Sequence, residues 1–156
     1  MTLKILRIKE KKQIEESLKL QFGITEISGL LVKRGEERLF LFQGNLNPKE
    51  ILELEKKIPL ERVGIYFAKI IRDEPKLSIE GAQILKDQIK NNTFELNKEQ
   101  TEQWMSGQEL NIKTGKKGFI IMKYKDDLLG CGNASEEKIT NFIPKSRRLK
   151  LKWKRN

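Results

Sequence analysis

From Arg148 to Lys154 the chain alternates basic residues with Leu149, Leu151 and Trp153. Side chains of an extended strand point alternately to its two faces, so this spacing predicts a half-buried final strand. Its apolar side would enter a core, and Arg148, Lys150, Lys152 and Lys154 would form a cationic row outside. Such a row suits phosphate groups, with Arg forking onto phosphate oxygens or stacking on a base and Lys acting as a point charge. Residues 145–156 hold seven basic residues and no acid, and the whole chain sums to +10. Residues 1–60 contribute +3 and residues 61–144 are balanced, so the charge asymmetry is local.

Other chemistry is poorly served. The chain has no histidine and one cysteine, Cys131, so an internal disulfide and the usual zinc ligand sets are out of reach. Cys131 lies between Gly130 and Gly132 in an apolar run, where a small buried hydrophobe is expected. The carboxylate pairs Asp126-Asp127 and Glu136-Glu137 fall where solvation or capping explains them. No apolar stretch approaches the roughly 20 residues that span a bilayer, and the first residues do not resemble a signal peptide. A soluble cytoplasmic protein without membrane association is expected.

The elements that must carry these residues are legible in outline. Ile14, Leu18 and Phe22 give one helical stripe over about 9–22, with Gly23 as its stop. Leu30–Val32 and Leu39–Phe42 read as a hairpin turning at Gly35. Asn47-Pro48-Lys49-Glu50 predicts a capped helix that buries Ile51, Leu54 and Ile58 and ends at Pro59. A boundary is therefore expected there, dividing a small α+β domain, 1–58, from a second domain, 59–156. The second opens with a strand over 63–71 and a turn at Arg72-Asp73-Glu74-Pro75. Helices capped by Ser78 and Asn97 follow, the latter running through Trp104 to Gly107. Two strands, Gly118–Met122 and Leu128–Cys131, precede the basic end.

The order Gly64–Ile70, Leu77–Ala82, Trp104–Leu110, Leu129–Gly132 and Asn141–Arg148 resembles a PUA-like RNA-binding domain. It is most similar to the version at the C-terminus of NOL/NOP/Sun-type RNA cytosine-5 methyltransferases, a module also found as a short free-standing archaeal protein of ribosome biogenesis. Gly130, Gly132, Asn141, Pro144, Lys145 and Arg148 carry most of the likeness. The resemblance implies an α+β chain in which a pre-PUA-like domain precedes a β-pseudobarrel with short helices. It further implies RNA contacts at Lys69, Arg72, Lys145, Arg147, Arg148, Lys150 and Lys152, and at the backbone of Gly130 and Gly132.

The partners implied are structured RNA, ribosomal or transfer, and an RNA methyltransferase or ribosome-assembly factor. Catalysis is not expected. Cytosine-5 methylation needs a cysteine nucleophile and a pocket for S-adenosylmethionine, and neither the family's paired cysteine motifs nor a glycine-rich cofactor turn is present. No cofactor is therefore expected. A non-catalytic RNA-binding accessory protein is the reading reached, with a protein-interaction adaptor as its alternative.

Overall fold

The computed structural model describes residues 3–57 and 63–150. They form an α+β chain that divides into two compact units, Met1–Ile89 and Lys90–Asn156.

In the first unit, β1 (Leu3–Ile5), β2 (Leu30–Arg34), β3 (Arg38–Phe42), β4 (Ile65–Ile71) and β5 (Glu74–Leu77) lie side by side in chain order, each antiparallel to the next. The helix α1 (Ile8–Phe22) buries Leu18 and Phe22 and stops at Gly23, whose amide closes on Lys19 at 2.9 Å. α2 (Pro48–Lys57) starts with a reciprocal box: Glu50 N–H donates to Asn47 Oδ1 at 2.9 Å, and Asn47 N–H to Glu50 Oε1 at 3.0 Å. Ile51 is buried, but Leu54, expected to be buried, is exposed on the helix, while Ile58 and Pro59 lie outside the described residues.

The expected boundary at 58/59 is not where the described contacts divide. β4 pairs with β3, bringing Phe40 opposite Tyr66 with ring centroids 5.7 Å apart. A helix stop marks the end of an element, and it does not decide which sheet the next strand joins. α3 (Ile79–Ile84) is capped by Ser78, whose Oγ accepts from Gly81 N–H at 2.9 Å. Gln88 then accepts from the amides of Thr25 and Glu26 and donates to the Glu26 carbonyl, tying residues up to Ile89 to the first unit.

The turn expected at residues 72–75 is shorter. Arg72 and Asp73 alone turn the chain, both at positive φ, as a two-residue hairpin of this hand requires. Glu74 and Pro75 belong to β5, an edge strand, where a residue lacking N–H is tolerated.

In the second unit, β6 (Thr93–Glu95) runs parallel to β7 (Gly118–Tyr124), which pairs antiparallel with β8 (Asp127–Ala134), itself antiparallel to β9 (Ile139–Asn141). A parallel pair needs a crossover, and α4 (Lys98–Met105) supplies it. Among the described residues this sheet is open, so the expected pseudobarrel is not closed by strand pairing there. The core gathers Leu96, Trp104, Leu110, Ile120, Met122, Ala134, Ile139 and Ile143.

The expected basic strand is not formed over Arg148–Lys150. Lys145–Arg147 make a 3-10 turn and Arg148–Lys150 follow with no ladder partner. Leu149 is 56% exposed instead of buried. Alternation favours an extended backbone, but a strand also needs a sheet edge in register. Leu151, Lys152, Trp153 and Lys154 lie outside the described residues.

Candidate nucleic-acid interface

The basic segment of the second unit is held by the end of α4. That helix starts with Asn97 and Gln100 capping each other's amides, at 2.8 and 2.9 Å. It ends where Gly107 N–H reaches the Trp104 carbonyl at 3.0 Å and Gln108 N–H reaches Gln103 at 3.1 Å. This pair of bonds is the Schellman closure, which places a left-handed residue at Gly107, φ +92.

Asn141, at the end of β9, completes the helix end. Its Nδ2 donates to the carbonyls of Trp104 and Gln108, and its Oδ1 accepts from Ile143 N–H at 2.7 Å. The chain is thereby turned at Ile143-Pro144 into the 3-10 turn. Arg148 then folds back: its Nε donates to the Ile143 carbonyl at 3.1 Å, and its guanidinium lies over Gly107, in space a Cβ there would occupy. The amide of Leu149 donates to the Met105 carbonyl at 2.7 Å. Lys145, Arg147 and Lys150 are exposed along this anchored segment, and residues 144–150 contain no acid.

Gly130 and Gly132 have structural reasons. β8 carries one extra residue against β7 between Ile121 and Lys123, and Gly130 sits there at φ +84, as a glycine bulge requires. Beside the bulge the Leu129 carbonyl accepts the Trp104 indole N–H at 2.8 Å. A Cβ on Gly132 would lie 2.7 Å from the Trp104 ring and 2.6 Å from Ile139. Trp104, fully buried, is thus the body around which β8, β9 and α4 close. Cys131, between the glycines, is buried.

The expected contact residues are split between the units. Lys69 and Arg72 belong to the first, where Lys69 Nζ lies 3.6 Å from a Glu37 carboxylate oxygen and Arg72 is exposed in the β4–β5 turn. Gly130, Gly132, Lys145, Arg147, Arg148 and Lys150 belong to the second, and Lys152 lies outside the described residues. The Arg148 side chain is spent on the fold. Gly107 was legible as a helix stop, but nothing in the sequence marks Gly107 and the Met105 carbonyl as the groups that receive the basic segment.

Three other cations of the second unit lie beside carboxylates. Lys113 lies 3.8 Å from Glu137, Lys117 lies 3.4 Å from Glu136, and Lys138 lies 3.0 Å from Glu109. Among the described residues no three His, Cys, Asp or Glu side chains gather as a metal site, and no helix is long and apolar enough to cross a membrane.

This second unit carries a PUA-like domain resembling the C-terminal domain of Sun-type ribosomal RNA methyltransferases. Residues 91–149, from the unit boundary to the anchored segment, match the family model described as the Methyltransferase RsmF PUA domain. A "Ribosomal RNA small subunit methyltransferase F" of Psychromonas ingrahamii is 28% identical over 131 residues, covering 80% of this chain and 26% of that protein. Its namesake in Shewanella woodyi is 26% identical over 140 residues, covering 88% and 28%. The chain thus spans about a quarter of the length of the curated relatives it matches. Neither relative is archaeal, so they lend no support to the archaeal likeness expected from the sequence.

Proposed function

We propose that this chain is a non-catalytic, cytoplasmic RNA-binding accessory unit acting on ribosomal or transfer RNA in ribosome biogenesis or RNA modification. The observation that carries the reading is the acid-free segment Lys145–Lys150, pinned to the end of α4 within and just beyond the stretch that matches a PUA domain. Lys145, Arg147 and Lys150 are the proposed phosphate contacts there, with Lys152 beyond them. Lys69 and Arg72 are proposed for the first unit. Arg148 holds the segment in place, and Gly130 and Gly132 serve the fold.

A cytosine-5 transfer requires an accessible thiolate, whereas Cys131 is buried in β8 between two structural glycines. An RNA methyltransferase or ribosome-assembly factor is the proposed protein partner, following the activity named for the relatives.

The test is RNA binding by the intact chain and by K145Q/R147Q/K150Q/K152Q at several salt concentrations, with ribosomal RNA fragments, transfer RNA and duplex DNA as ligands. Each phosphate contact contributes about −0.7 to the log–log salt slope on single strands, so the variant should flatten the slope by up to about 3. Equal affinity and slope for the two proteins would sink the assignment of this segment.

A further inference from the structure

The register of the first unit's sheet sets four cations in line. Arg34 of β2 stands opposite Arg38 of β3, Arg38 opposite Lys69 of β4, and Lys69 opposite Lys76 of β5. Directly opposed residues of antiparallel strands share a face, so all four side chains leave the same side of the sheet. The row crosses the strands at right angles and is about 14 Å long at ordinary interstrand spacing. Arg38 is exposed and the other three are partly exposed. The bulge between Leu39 and Phe40 in the β3–β4 pairing keeps Lys69 on the face of Arg38 while Tyr66 stays beside Phe40.

Local physics does not favour this row. Like charges directly opposite each other on a sheet are destabilising, and three such pairs occur in succession. Acids also stand by the row: Glu36 and Glu37 in the β2–β3 turn, the latter 3.6 Å from Lys69, Glu55, which accepts the amide of Leu3 opposite Arg34, and Glu74, two residues before Lys76 on β5. Arg72 adds a fifth cation at the exposed tip of the β4–β5 hairpin. An evenly spaced line of cations matches a polyanion whose own charges repeat along a line, and a bound polyanion would relieve the repulsion.

We propose that Arg34, Arg38, Lys69 and Lys76 form a second RNA contact, a strip on the first unit that binds the phosphate backbone. The inference rests on the RNA-binding reading above and extends it from the matched domain to the sheet outside it. RNA would be held at two places on the chain, one cationic segment on each unit.

The experiment compares the intact chain with R34Q/R38Q/K69Q/K76Q, using small-subunit ribosomal RNA as the probe across a salt series and thermal melting as a second readout. The expected result is a salt slope flattened by about 2 to 3, at about 0.7 per lost contact. A tenfold or larger loss of affinity near physiological salt and a melting temperature equal to or above the parent's should accompany it. A folded variant with unchanged affinity and slope overturns the proposal. R38Q/K76Q, which leaves two of the four cations, keeps the binding readout if the fourfold variant fails to fold, and should flatten the slope by about half as much. If the intact chain binds RNA and only the Lys145–Lys152 variant loses it, the row alone falls. If the intact chain binds no RNA, the functional reading falls with it.

Discussion

Asn141 donates from Nδ2 to the backbone carbonyl of Trp104 at 2.8 Å, joining the last strand of the second unit to the end of its helix. One amide side chain thereby gives the Trp104 carbonyl a second donor beside Gly107 N–H, reaches the Gln108 carbonyl just past the helix, and fixes the turn that launches the basic segment. The position demands a group that both donates and accepts.

Asn141→Ala should therefore destabilise the chain by about 1–3 kcal/mol, because it strands partly buried polar groups. Asn141→Asp should not rescue it, since an ionised carboxylate accepts only and would face two carbonyl oxygens. Urea denaturation of the three proteins measures both effects, and an Asp variant as stable as the parent would refute the donor role.

Gly132→Ala places a methyl group against Trp104 and Ile139. Overpacking of this kind costs about 1–3 kcal/mol. Thermal or denaturant unfolding should show the loss, with tryptophan fluorescence shifted if the Trp104 indole leaves the Leu129 carbonyl.

Arg148 is expected to act through geometry. Arg148→Lys keeps the charge and loses the planar group that lies over Gly107 and reaches Ile143. Hydrogen exchange at the Leu149 amide, bonded to Met105, should speed up in Arg148→Lys and in Gly107→Ala alike. Protection retained in both variants would show that the segment is anchored by other means.

Glu10 offers a pH test in the first unit. Its carboxylate accepts from Lys4 Nζ at 2.9 Å and from the backbone and side chain of Arg7, and these bonds hold its pKa down at about 2, against an ordinary 4.5. A depressed carboxylate pKa contributes stability that is present above the unfolded value near 4.5 and is lost as pH falls toward 2. Glu10→Gln should flatten the acid limb of the stability profile across that window. Carbon-detected NMR titration should find the Glu10 pKa rising toward its ordinary value in Lys4→Met.

Much of the local structure was legible because it depends on neighbours in sequence. Asn47 with Glu50 and Asn97 with Gln100 announce their helices three residues ahead, and Gly23 and Gly107 end helices where an apolar stripe stops. Short strands were not legible. β1, β6 and β9 have three residues each, too few for periodicity to register, and exist because a longer strand offers them an edge.

What the sequence determined by itself is the alternation of side chains, the caps and the location of charge, all consequences of residue type and spacing within a few positions. Tertiary structure decided the pairings. It attached β4 to the first sheet, left Arg148–Lys150 without a strand partner, spent Arg148 on Gly107, and aligned Arg34, Arg38, Lys69 and Lys76 across four strands. Register between strands far apart in the chain is set by the packing of whole faces, and no short window of sequence contains that information.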